Sequence, residues 1–125
     1  MAKITLAGNP DTIKYPSREY DFSPSIAYPE YPWGEEYIAK EENNVYDLVR
    51  ECLHLSGYDK DHYGTKSWNP LGDVITPGQT VLIKPNWVEN KNSNKEVNDY
   101  LACLVTNPSV VRAVLDYVFI ALKGA

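Results

Sequence analysis

The chain has 125 residues, 43% hydrophobic and 23% charged, with a net charge of −5. That length suits one domain with a real core, and the composition reads as soluble and globular. An acidic chain without a basic run argues against nucleic acid or an anionic membrane as the main partner, and no apolar stretch approaches bilayer-spanning length. The opening MAKITLAGNP holds too short an apolar run for a secretory signal, so the expected location is the cytoplasm. Cys52 and Cys103 lie far apart and outside any C-x-x-C pair, which predicts free thiols.

In chain order, KITLAG (3–8) alternates and is β-branched, and it predicts a first strand. Residues 10–42 are rich in Pro and Tyr, with prolines at 10, 16, 24, 29 and 32 breaking any regular element. They predict an irregular arm that packs, because so many aromatics do not stay in water unpacked. Asn43 or Asn44 is positioned to cap a helix from Val45 to Ser56, with Val45, Leu48, Val49, Cys52 and Leu53 on one apolar stripe and Gly57 as the left-handed stop. A turn at Pro77-Gly78 precedes a short, buried strand, Val81–Ile83. Residues 86–105 form a long polar loop, with a helical turn expected around 97–101. Thr106 or Asn107 then caps a final helix that opens on Pro108 and stops at Gly124. Val110, Val111, Val114, Leu115, Val118 and Leu122 are its expected apolar stripe.

Strand, loop and helix in that order predict an α/β fold. The expectation is an incomplete small parallel or mixed sheet with two main helices and the irregular arm. In such a unit the strand's carboxyl end and the next helix's amino end share one edge, where open α/β sheets bind ligands. Lys84 and Asn86 stand on one side of that edge, and Thr106, Asn107 and Ser109 on the other. Lys84 offers a compact positive charge, Asn86 a donor and an acceptor, Thr106 and Ser109 hydroxyls, and the helix start its N–H groups. Together they suit a phosphate or carboxylate. The plainer reading makes Lys84 a solvated strand end, Asn86 a turn former and Thr106 or Asn107 a simple cap.

Other signals are weaker. DKDHYG (59–64) starts like a calcium loop, but Tyr63 takes its fifth place and Pro70 its twelfth, where the bidentate Glu belongs. His54 and His62 have no cysteine or carboxylate cluster at ligand spacing, so no metal site is expected. Cys52 falls on the apolar stripe and reads as core. Tyr15, Tyr20, Phe22, Tyr28, Tyr31, Trp33 and Tyr37 make the arm a candidate contact surface for its own domain, a second subunit or further polypeptide.

VLIKPNWV together with CLVTNPSVVRAVLDYVFIALKG resembles the family called domain of unknown function 362, which is similar in its Lys-Pro-Asn after an apolar strand and its Thr-x-Pro opening a helix. SPSIAYPEYPWGE and NNVYDLVRECLHLSGYD resemble a branch of the same family. The resemblance implies a longer α/β protein of which this chain is the amino-terminal part. Some members carry a ferredoxin-like iron–sulfur region further along. Nothing here matches that region, so any such cluster would lie outside this chain and no cofactor is evident within it. Many relatives have His where Asn107 stands. The family carries no settled activity to transfer.

The sequence therefore supports two expectations. In the first, one domain (1–125), the front of a larger enzyme, binds a small anion through Lys84, Asn86, Thr106, Asn107 and Ser109. In the second, it is a non-catalytic interaction or assembly module whose residues 15–37 contact a second copy or the missing carboxyl-terminal region.

Overall fold

The computed structural model describes residues 3–8, 15–16, 22–87 and 105–123. Two helices carry the fold: α1, Asn44–Leu55, and α2, Pro108–Lys123, which pack against each other. Single 3₁₀ turns lie at Glu35–Tyr37 and Lys60–His62.

Asn43 fixes where α1 begins. Its backbone is non-helical, and its Oδ1 accepts from the Tyr46 N–H at 3.3 Å, satisfying one of the donors a helix start leaves unpaired. Its Nδ2 donates to the Phe22 and Ser23 carbonyls at 3.0 and 2.9 Å, and its own N–H donates to Ser25 Oγ at 3.0 Å. One fully buried amide thus caps the helix and anchors the arm. At the other end Gly57 takes the expected left-handed conformation, φ 82°, and donates to the His54 carbonyl at 2.8 Å. Pro108 opens α2 as expected. The expected stop at Gly124 and the expected turn at 97–101 lie outside the described residues.

The core is aromatic. Tyr46 of α1 and Ala113, Tyr117 and Ile120 of α2 enclose Trp68, which comes from the loop after α1. Trp68 has no exposed surface, meets Tyr63 and Tyr117 edge-on at 5.0 and 5.4 Å, and donates Nε1–H to the Tyr58 carbonyl at 3.2 Å. A buried indole without a partner would be costly, and this bond lets a loop residue serve as the central plug. The described part of the arm, 22–42, lies on the same two helices and is irregular, as its prolines dictate.

The expected α/β fold is corrected: the described residues contain no strand and no sheet. The segments expected as strands form no ladder among the described residues. In 3–8, Thr5 and Ala7 are half-buried while Ile4 and Leu6 are 92% and 86% exposed. In 80–85, Val81 and Ile83 are half-buried while Leu82 is 90% exposed. The period of two is that of a strand, but a strand is stabilised by neighbours that satisfy its N–H and C=O groups, and no such neighbour stands among the described residues.

The helical stripes are corrected too. Of the expected α1 stripe only Val45 is fully buried. Leu48, Val49, Cys52 and Leu53 are half-buried and, with Tyr15, Val110 and Val114, line an open apolar groove of about 360 Å³. Leu115 of the α2 stripe is 49% exposed. The face of α1 that is most deeply covered carries Tyr46 and Arg50.

Asn43→Ala removes the cap and both carbonyl bonds, so it is expected to cost about 2 kcal/mol or more. Asn43→Asp keeps the capping oxygen but sets a buried carboxylate oxygen against the Phe22 and Ser23 carbonyls, so it should cost at least as much as alanine. Urea-unfolding midpoints for the three chains measure the order.

Candidate functional site

The most elaborate arrangement is a buried ion pair that sequence reasoning missed. Arg50 and Glu30 are 8% and 6% exposed. Arg50 Nε donates to Glu30 Oε1 at 2.6 Å and Nη2 to Oε2 at 3.3 Å, a two-point contact between planar groups. Arg50 Nη1 donates to the Tyr63 hydroxyl at 2.6 Å, and the Tyr117 hydroxyl donates to Glu30 Oε1 at 3.0 Å. The guanidinium lies over the rings of Tyr28, Tyr63 and Trp68, with centroids 4.2, 4.5 and 5.0 Å away. Burial alone would lower the guanidinium's pKa, but the Glu30 bonds and charge outweigh it and hold it above its ordinary value. Burial first, then the Glu30 charge, raises the Tyr117 hydroxyl, so it stays a donor. The ion pair joins arm, α1, α2 and loop.

A second buried carboxylate works alike. Asp116, 1% exposed, accepts from Trp33 Nε1 at 2.8 Å, from the Tyr46 hydroxyl at 3.1 Å and from Arg112 Nε at 3.0 Å. Arg112 Nη2 reaches the Tyr31 hydroxyl at 3.0 Å, and Trp33 stacks on Phe119 with centroids 4.2 Å apart. Tyr28 donates to Asp47 at 2.6 Å. Burial raises the Asp47 carboxyl although this bond opposes it. The arm's Tyr28, Tyr31 and Trp33 therefore bond within their own chain.

Beside the ion pair a pocket of about 350 Å³ is lined by Tyr28, Asn44, Asp47, Leu48, Arg50, Glu51 and Tyr63. Arg50, its most buried member, already meets Glu30 and Tyr63, so its charge is balanced from within the fold.

The structure brings the five residues singled out from the sequence together only in part. Asn86 and Thr106 do come together: Asn86 N–H donates to Thr106 Oγ1 at 3.1 Å, and Thr106 N–H donates to the Asn86 carbonyl at 3.0 Å. Trp87 Nε1 donates to the Thr106 carbonyl at 2.8 Å. Lys84 is exposed, and its Nζ donates to the Pro85 carbonyl at 3.2 Å. The start of α2 is closed by its own chain. Pro108 has no N–H, Ser109 N–H donates to Asn107 Oδ1 at 2.9 Å, and Val110 and Val111 donate to the Asn107 carbonyl at 3.0 and 3.4 Å. Ser109 is fully buried, and its Oγ has no hydrogen-bond partner among the described residues. This geometry is a brace that ties the end of one segment to the start of a helix.

In the loop after α1, Asp59 adopts φ 44° and its carboxylate joins two elements, taking His62 Nδ1 at 2.6 Å on one oxygen and the Asn69 N–H at 2.7 Å on the other. Both oxygens are thus engaged at the first position of the calcium-loop resemblance. Among the described residues no three His, Cys, Asp or Glu side chains form a metal-binding group. Cys52 is free and half-buried. Cys103 and most of the expected 86–105 loop lie outside the described residues. No helix among the described residues is long and apolar enough to cross a membrane.

The missed residues had one legible signal. Asp116 follows Arg112 by four positions, so the two share a helix face, and they bond each other. A charge on a covered face needs a partner, and Glu30 lies twenty residues before Arg50, in a segment without periodicity.

The Asp59–His62 contact predicts a pH window. The Asp59 hydrogen bond raises the His62 pKa above 6.5. At Asp59 burial pushes upward, but the Asn69 and His62 contacts outweigh it and hold the pKa below 3.8. The His62 contribution is complete below its unfolded pKa and is lost as pH rises through the raised folded value. The Asp59 contribution is present above its unfolded pKa and is lost as pH falls through the depressed folded value. The Tm difference between the parent and His62→Gln should therefore be largest between about pH 4 and 6.5 and shrink on both sides. A difference that grows above pH 8 would contradict this sign.

Comparison with protein-family models, with curated proteins and with solved structures finds no match. The resemblance to the domain of unknown function 362 family therefore rests on the quoted motifs.

Proposed function

We propose that this chain is an interaction module, a two-helix scaffold that presents extended apolar segments to a partner polypeptide, which docks by adding a β-strand. The observation that carries the reading is the pairing state of 3–8 and 80–85. Their side chains alternate in burial, and Ile4, Leu6 and Leu82 are each at least 86% exposed. Among the described residues no backbone hydrogen bond is made by Val81, Leu82 or Ile83. A row of unpaired N–H and C=O groups on an apolar extended segment is a template that another extended chain satisfies best.

The contact surface thereby moves from the Tyr/Pro arm to these segments, because the arm's Tyr28, Tyr31 and Trp33 are held by Asp47, Arg112 and Asp116. Docking also fits the residues better than an anion site does, since the first turn of α2 donates to Asn107.

The test places a photo-crosslinking residue at Leu82 and, as a control, at Ile26, which is 51% exposed on the arm. Both full-length chains are irradiated in the source cells and the crosslinks are mapped by mass spectrometry. Crosslinks from position 82 concentrated on alternate residues of one polypeptide, and absent from position 26, are the expected result. Crosslinks onto this same chain would make the partner a second copy, and equal scatter from both positions would overturn the reading.

A further inference from the structure

On the docking reading just given, and resting on it, we infer that the strand received by residues 80–84 pairs an aliphatic residue with an acidic one two positions away. Burial alternates from Thr80 to Lys84, so Leu82 and Lys84, two apart and both exposed, stand on the same face. That face presents an aliphatic group beside a compact cation. Lys84 Nζ reaches the Pro85 carbonyl at 3.2 Å and makes no ion pair with a carboxylate among the described residues. In a chain of net charge −5 an acidic partner is repelled in general and attracted at this point, which sets the register.

The ladder has a fixed end. Pro85 has no N–H to donate, and the Asn86 N–H and carbonyl are tied to Thr106. An incoming strand therefore pairs no further than Lys84, and its last cross-strand contact is the one opposite the ammonium. Directly opposed charges across a ladder attract and like charges repel, so the identity of that one partner residue discriminates between strands.

The first segment does not share this property. Lys3 Nζ donates to the Ser56 carbonyl, and Thr5 Oγ1 accepts from Ser56 Oγ at 3.0 Å, so residues 3–5 are fastened to the end of α1 and their cation is engaged. Charge selection belongs to Lys84.

The experiment uses the full chain, labelled with ¹⁵N, and two heptapeptides: Thr-Glu-Thr-Val-Thr-Glu-Thr and the same peptide with both Glu replaced by Lys. The valine sits two residues from a charge in either strand direction. Amide protection and shift changes of Val81, Leu82 and Ile83 are titrated. The acidic peptide should bind at least about threefold more tightly than the basic one, and Lys84→Glu should reverse the order. Equal protection by both peptides leaves strand addition standing and overturns the charge rule. Protection by neither peptide overturns the strand addition as well. A preference that survives Lys84→Glu would assign the selection to another residue and also contradict the inference.

Discussion

The Glu30–Arg50 ion pair is the constraint on which the rest of the structure depends. Two charges removed from water at 6% and 8% exposure are tolerable only if each is fully answered. The answer comes from four parts of the chain: Glu30 from the arm, Arg50 from α1, Tyr63 and Trp68 from the following loop, and Tyr117 from α2. The pair sets their relative positions, and the aromatic rings then close over the guanidinium. Asp116 repeats the device on the other side of Tyr46, holding Trp33 of the arm and Arg112 of its own helix.

This division of labour explains what the surface offers. The arm is rich in groups that usually favour protein interfaces, yet the Tyr28 hydroxyl and the Trp33 indole N–H are held inward by carboxylates and the Tyr31 hydroxyl by Arg112. The aliphatic residues that usually fill cores are instead the open ones: Ile4, Leu6 and Leu82 on unpaired segments, and Leu48 and Val49 along a groove. A fold that buries Tyr46 and Tyr117 thus leaves Ile4, Leu6 and Leu82 open to solvent. That contrast is why the functional reading rests on the extended segments.

Much of the local structure was legible in the sequence. Asn43 as a cap, Gly57 as a left-handed stop, Pro108 at a helix start and the Pro77-Gly78 turn are each fixed by the chemistry of one residue and its neighbours, and each stands where it was expected. The sheet was not legible, because a strand is a property of a pair. Val81–Ile83 has the composition and the alternating burial, but periodicity carries no information about whether a neighbour exists. The meeting of Asn86 and Thr106 followed from segment order, whereas the closing of α2 by Asn107 depended on a side-chain rotamer. Arg50 and Asp116 escaped because their partners lie in a proline-rich stretch with no period to read.

A double-mutant cycle on Glu30→Gln and Arg50→Met tests the central claim most directly, with unfolding free energies measured in urea. Leaving either charge buried alone should cost about 3 kcal/mol, and the double change should cost no more than one single change, a coupling of about 3 kcal/mol or more. Additive costs with no coupling would mean that arm and helices are joined by packing alone, and the account of this fold would fail.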